Sequence, residues 1–319
     1  MSETGQTTHH SSSGDPMLDR RYAWAEAALK EGDAQAAVEI LDQTLAGAYH
    51  FTAAWHLYGL AKEALGHRED AATAWRQCLD LDPNDHFGAR LDLARIGAMP
   101  AEEATSENFS GALFDGYAER FDSHLTQTLH YNAPALLKDA LRRCCDNAAR
   151  PFRFGTVYDL GCGTGLMGEA IRTESGFLAG CDLSPRMIAR AQAKIREDGA
   201  PLYDKLATVG LTAFLVSRPD QSADLVIAAD VFVYLGELAP SFAQSARVLK
   251  ADGLFAFTVQ SHEGEGVVVG DDRRFAHAES WLRERLGEAG LTPLLVEPAS
   301  TRQDRGVPVP GLLLVAERR

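Results

Sequence analysis

From residue 154 to the C-terminus, uninterrupted apolar runs alternate with helical periodicity, and no other feature constrains the fold as much. The runs TVYDL, GFLAGCD, DLVIAAD and GLFAFTVQ lack the polar alternation of half-exposed strands, so they read as parallel strands buried on both faces. Helical patterns fall near residues 165–173, 185–198, 237–249 and 278–289. A short strand near Ala207–Val209 and two late runs, PLLVE and GLLLVAE, complete the set. Strand and helix in alternation predict a doubly wound α/β sheet.

The first of these strands runs into the stretch VYDLGCGTGLMGEA, with Gly161, Gly163 and Gly165 at every second position and Asp159 at the entrance. Glycine at a strand-to-helix turn permits a positive φ and lets a ligand approach the backbone, whose N–H groups and helix terminus act as donors. An acidic residue about 20 positions further on commonly grips a ribose, and Asp182 in GCDLSPRM occupies that place. Two cofactors fit. Gly163-x-Gly165-x-x-Gly168 satisfies the dinucleotide fingerprint, so NAD(H) and an oxidoreductase stay open. Asp159 argues the other way, because a carboxylate is a poor neighbour for a pyrophosphate and a good one for a ligand carrying an ammonium and a sulfonium. S-adenosylmethionine is such a ligand.

YDLGCGTGLMG followed by CDLSPRM resembles the first two cofactor motifs of class I S-adenosylmethionine-dependent methyltransferases. LFDGYAERFDSHLTQTLHY, AADVFVYLGEL, RFAHAESWL and VPVPGLLLVAE resemble more narrowly the bacterial members with N-terminal tetratricopeptide repeats. The resemblance implies a Rossmann-like methyltransferase sheet of seven strands, the last antiparallel, over residues 113–319. Gly161, Cys162, Gly163, Thr164 and Gly165 would form the loop beneath the methionine part of the cofactor. Asp159 would fix its amino group, Asp182 would accept from both ribose hydroxyls, and Leu183 and Met187 would line the adenosine. Many members read the adenine with an acid after strand three; here Gly210 stands in TVGLTAF, where a backbone carbonyl could substitute, and Leu211 is a further candidate for the adenine side. Asp230 and Tyr234 would face the methionine end or the acceptor, while Val231, Phe232 and Val233 read as core. Tyr117 and Phe121, at helical spacing with Leu125, would form a lid joined by Tyr131.

The front of the chain repeats itself. Gly32, Ala37, Leu41 and Leu45 recur 34 positions later as Gly66, Ala71, Trp75 and Leu79, and Trp24-Ala25 recur as Tyr58-Gly59. That period reads as tetratricopeptide helix pairs over residues 18–97. FGARLDLARIGA would cap the stack, a disordered leader would precede it over 1–15, and AMPAEEATSENFSGA, residues 98–112, would be a linker. The repeats would either dock a partner peptide or serve self-association, and a repeat-based adaptor with a regulatory cofactor site stays open.

Composition excludes other classes. A formal net charge of −14 disfavours nucleic acid as a partner, and no apolar run is long enough to span a membrane. Five cysteines, without any CxxC pair, argue against a disulfide framework or metal site and for a reducing cytoplasm. The acceptor, a small molecule or a protein, is not legible. A general base for its activation would come from His124, His130, His262 or His277, each weighed against a structural role, and Arg274 would join His277 in the acceptor pocket.

Overall fold

The computed structural model describes residues 11–117, 131–304 and 306–319, and the chain divides into two units, Met1–Phe109 and Ser110–Arg319.

The first unit is all helical: α1 (Pro16–Lys30), α2 (Ala34–Gly47), α3 (Thr52–Ala64), α4 (Arg68–Leu81) and α5 (Ala89–Arg95). The 34-residue offset is physical. Helices α2 and α4 have equal length and begin 34 residues apart. Gly32 and Gly66, at φ +88° and +81°, turn the chain between the helices of each pair. Buried Ala25, Ala37 and Leu41 are matched at that offset by buried Gly59, Ala71 and Trp75. The close approach at Gly59 is enforced by Trp75, whose Nε1 would lie 2.2 Å from an added Cβ. Helix α5 closes the stack, packing Ala89 and Leu93 against Ala71 and Trp75.

Residues 11–15, assigned from sequence to the leader, form a cap for α1. The Ser12 and Ser13 hydroxyls donate to Asp19, and Asp15 accepts from the Met17 N–H. The 98–112 stretch holds a 3₁₀ turn at Ala101–Glu103 and the start of α6 (Glu107–Tyr117). Ser106 makes that helix possible by accepting from the Phe109 N–H.

The second unit continues with α7 (Ala133–Asn147), β1 (Phe154–Leu160), α8 (Leu166–Ile171), β2 (Ser175–Asp182), α9 (Pro185–Ala193), β3 (Lys205–Thr208) and α10 (Leu211–Val216). It then runs through β4 (Ala223–Ala228), α11 (Ala239–Val248), β5 (Leu249–Ser261), β6 (Val267–Val269), β7 (Phe275–His277) and α12 (Glu279–Glu288). Strands β8 (Leu291–Pro298), β9 (Gln303–Asp304), β10 (Val307–Pro308) and β11 (Gly311–Arg318) finish it. The main sheet has the order β3-β2-β1-β4-β5-β11-β8. Strands β1 to β5 pair in parallel, and β11 is antiparallel to both its neighbours. Val157, Leu178, Leu225 and Leu254, one from each of four strands, lie together in the core under the helices.

Among the described residues the sheet has nine strands where the resemblance implied seven. The 13-residue β5 outruns the 6-residue β4, and β7 pairs with its free end at Gln260 and Ser261, bringing β6 with it. A strand that overhangs leaves backbone groups to satisfy, and the short ribbon satisfies them.

Candidate functional site

The loop after β1 turns through three left-handed glycines, Gly161, Gly163 and Gly165, at φ +61°, +52° and +97°. An L side chain resists that conformation, and at Gly161 it also lacks space: an added Cβ would lie 2.6 Å from Val231 Cγ2. Cys162 and Thr164 are buried between them. The Cys162 N–H donates to Cys181 O at 2.9 Å, which ties the loop to the end of β2.

Asp182, at that strand end, organises the same loop. Its two carboxylate oxygens accept separately, from the Gly163 N–H at 3.0 Å and the Ser184 N–H at 2.9 Å. Burial pushes the carboxyl upward, and those backbone donors pull it back. Each oxygen keeps a second lone pair for another donor. Leu183 follows, half-buried, and Met187 is fully buried in the first turn of α9, its N–H accepted by Ser184 Oγ. Leu211 is buried at the start of α10, just after Val209 donates its N–H to Asp182 O.

Asp159 is 1% exposed. Its Oδ2 accepts from the Tyr203 hydroxyl at 2.6 Å, whereas Oδ1 is buried with no partner among the described residues. Burial pushes this carboxyl up to about 7; the Tyr203 hydroxyl opposes that and the nearby Asp182 adds to it. A buried acceptor without a donor costs free energy until a ligand or water supplies one. An ammonium is the donor that suits an acid in this setting.

Tyr203 was missed in the sequence reading. Its ring fills a slot that three bare backbones leave open. An added Cβ would lie 3.1 Å from the ring at Gly165, 2.3 Å from the hydroxyl at Gly168 and 3.0 Å from the ring at Gly180. Gly168, the third glycine of the dinucleotide fingerprint, is therefore explained by a side chain of the protein itself. A glycine inside β2 was the available signal, because strand glycines mark close approach.

Asp230 sits after β4 in the left-handed region, at φ +60°. Its N–H donates to Thr258 Oγ1, and its carboxylate accepts from Thr301 Oγ1 at 2.8 Å and Arg302 at 3.0 Å. Arg302 is 4% exposed and also donates to Gln260. A buried arginine in a polar loop, STRQDRG, has no sequence signature. Tyr234 ends the 3₁₀ turn Phe232–Tyr234 and meets Phe114 of α6 edge-on, ring centres 4.9 Å apart. The Arg274 guanidinium lies 5.6 Å from the Tyr234 ring centre. Tyr131 donates to Ala229 O at 3.5 Å, and burial beside Asp230 and Asp159 pushes its hydroxyl well up.

Helix α6 reaches this corner from residue 110 onward. Asp115 accepts from the Ser184 hydroxyl and the Arg186 N–H, and the Cα of Gly111 faces Leu183. Tyr117 is the last residue of α6. Phe121, His124 and His130 lie outside the described residues.

The two remaining histidines are both held by backbone groups. His262 accepts from the Gly264 N–H through Nδ1 and holds Gly266 O through Nε2, bracing a loop beside a cavity of about 990 Å³ at the ends of β5 and β8. His277 is fully buried and holds Leu235 O through Nε2. Burial lowers its pKa to about 4. Among the described residues no helix is long and apolar enough to cross a membrane.

The glycine loop, the acids at the ends of β1 and β2, and the strand order define the binding edge of a class I methyltransferase sheet. Residues 158–257 match the family model described as a methyltransferase domain. The C-terminal part of the chain thus carries a class I S-adenosylmethionine-dependent methyltransferase domain. A ubiquinone biosynthesis O-methyltransferase of Agrobacterium fabrum is 27% identical over 138 residues, 41% of this chain and 54% of that protein. A protein of the same description from Rhizobium rhizogenes is 25% identical over 132 residues, 40% of this chain and 52% of that protein. The chain spans about half the length of these curated relatives. Among solved structures, the [4+2]-cyclase SpnF aligns with a TM-score of 0.52 at 18% identity, covering 67% of this chain and 96% of that one. Magnesium protoporphyrin IX methyltransferase (ChlM) of Synechocystis PCC 6803 aligns at 0.51 and 16%, covering 67% and 99%. At such identities these two show the fold.

Proposed function

We propose that this chain transfers the methyl group of S-adenosylmethionine to an oxygen of a small-molecule acceptor. The observation that carries the reading is Asp159, a buried acid with one unpartnered oxygen beside a glycine loop. In this reading Asp159 takes the cofactor's ammonium, the second lone pairs of Asp182 take the ribose hydroxyls, and Gly161, Gly163 and Gly165 keep the loop low enough for the methionine part. Leu183 and Leu211 flank the adenosine, and α6 covers this edge. Tyr234 and Tyr131 border the sulfonium end, where ring faces and hydroxyl oxygens suit a cation.

The cofactor supplies an electrophilic methyl carbon on a positively charged sulfur. The residues hold the acceptor oxygen in line with that carbon and exclude water. Bound here, the cofactor would supply that methyl carbon to the acceptor oxygen with its own neutral thioether as the leaving group, and the acceptor's hydroxyl proton would pass to solvent or to a base. The oxygen acceptor rests on the likeness to the two ubiquinone biosynthesis O-methyltransferases. A protein acceptor is the second reading, favoured by the helical pairs repeating at 34 residues. We assign those pairs to the tetratricopeptide class, with peptide docking or self-association as their role. Five cysteines, all buried and free, suit the cytoplasm.

Titration calorimetry tests the cofactor. S-adenosylhomocysteine should bind and NAD(H) should not, and Asp182→Asn should weaken that binding about tenfold or more, since a hydrogen bond to a charged group contributes about 1.5–3 kcal/mol. Binding of NAD(H) alone would overturn the reading. Labelled methyl donor added with the enzyme to an extract then separates the acceptors, by entering low-mass compounds or protein.

A further inference from the structure

We infer that Tyr203 is a positioning residue for cofactor binding: its hydroxyl turns Asp159 so that the unbonded oxygen is presented, as a carboxylate, to the cofactor's ammonium. The inference rests on the reading that S-adenosylmethionine occupies this edge. Tyr203 lies in APLYDKL, outside both glycine motifs, and nothing in the loop pattern assigns it a role.

The geometry is over-determined. Leu202 on one side donates its N–H to Lys194 O, and Asp204 on the other exchanges hydrogen bonds with Leu178, donating to its carbonyl and accepting its N–H. The backbone at 203 is thereby pinned against β2. The ring then has one slot, bounded by Gly165, Gly168 and Gly180, and at the end of it the hydroxyl meets Asp159 Oδ2 at 2.6 Å. With Oδ2 occupied, the carboxylate is fixed about its long axis and Oδ1 is the oxygen left over. A packing role alone would be served by phenylalanine. The hydroxyl does more, because it is the one hydrogen-bond donor that Asp159 has among the described residues and so the one group favouring its charged form. Among the described residues the other titratable groups facing Asp159 are Asp182, Tyr131, Cys162 and Cys181, and none is a cation.

Ionisation links the hydroxyl to affinity. An ammonium is attracted by the carboxylate and not by the neutral acid, so affinity for S-adenosylhomocysteine should fall as pH drops below the value of about 7 to which burial pushes Asp159. Tyr203→Phe removes the opposing hydrogen bond, so the break should move to higher pH. Binding at about pH 7.5 should weaken roughly tenfold, and the penalty should shrink toward about pH 8.5. Methylthioadenosine carries the same nucleoside and thioether without the amino acid end. Its affinity should be equal for the wild type and Tyr203→Phe and flat across this range.

The experiment is calorimetric titration of both ligands, on wild type and Tyr203→Phe, at a series of pH values, with thermal melts of the ligand-free proteins. Support is a selective, pH-dependent loss for S-adenosylhomocysteine. Equal weakening of both ligands, or no shift of the break, would overturn the role of Tyr203 while leaving the cofactor reading in place. A wild type that binds neither ligand overturns both. Should Tyr203→Phe not fold, 3-fluorotyrosine placed at position 203 serves instead. It is a stronger donor of nearly the same size, so the break should move to lower pH, and an unmoved break counts against the inference.

Discussion

Gly168→Ala isolates the fit between the glycine motif and Tyr203. Residue 168 lies in the first turn of α8 with no positive φ, so the backbone accepts alanine, and a helical Gly→Ala change ordinarily gains about 0.5–1 kcal/mol. Here the new methyl would lie 2.3 Å from the Tyr203 hydroxyl, 2.4 Å from Cζ and 2.8 Å from Cε2. These distances are far inside van der Waals contact, and the ring has no second slot, because Gly165 and Gly180 bound it on other sides. Overpacking of this kind costs about 1–3 kcal/mol. Tyr203→Leu removes the colliding atoms while keeping an apolar side chain. In that background the helix preference is all that remains, and the same Gly168→Ala change should stabilise. The sign should therefore reverse between backgrounds, and because the helix preference is common to both, the coupling should equal the overpacking cost of about 1–3 kcal/mol. Urea denaturation of the four proteins of the cycle, followed by circular dichroism, measures it. Equal effects of Gly168→Ala in both backgrounds would refute the account of the third glycine.

Two further outcomes follow from buried charges. Burial holds His277 neutral, with its pKa at about 4 against an ordinary value of 6.5. Its folded value is depressed, so the stability it allows is complete above about pH 6.5 and is lost as pH falls toward 4, on the order of 3 kcal/mol. Wild type should lose that amount relative to His277→Gln across the window in denaturant melts, and parallel curves would count against it. Arg302→Leu strands Asp230 without its cation and should cost about 3–5 kcal/mol, whereas adding Asp230→Asn should recover much of the loss. Melting temperatures of the two variants decide this, and equal destabilisation would mean that the pair is not the reason.

The sheet was readable because strands buried on both faces write themselves as unbroken apolar runs, and the observed β1, β2, β4 and β5 fall on them. The glycine loop and Asp182 were readable because left-handed backbone and a strand-end acid leave local signatures. What failed to show depends on partners distant in sequence. Helix α9 was expected to run to 198 but ends at Ala193, because Lys194 turns to extended backbone and its carbonyl accepts from Leu202. Helix α10 follows Gly210 in a segment where only the preceding strand was foreseen, and β6 and β7 exist because β5 overhangs β4. Tyr203 and Arg302 were invisible for the same reason. Each is an ordinary polar residue in a loop until the fold buries it against an aspartate.

The three acids at the binding edge are treated differently, and the difference indicates what the edge receives. Asp230 is neutralised by Arg302 and bonded by Thr301, so its charge is already answered within the protein. Asp182 is answered by the backbone N–H groups of Gly163, Leu183 and Ser184, partial charges that fix its orientation and leave room for a neutral hydroxyl donor. Asp159 is the most deeply buried of the three, yet it is met by a single neutral hydroxyl, and its other oxygen has no donor among the described residues. A pyrophosphate at this edge would add negative charge beside an acid that burial already biases toward protonation, and among the described residues no cation faces Asp159. A ligand that brings its own positive charge removes the deficit. The ordering of the three acids therefore selects a cationic amino acid end over a phosphate, on grounds independent of the glycine spacing that both kinds of ligand share.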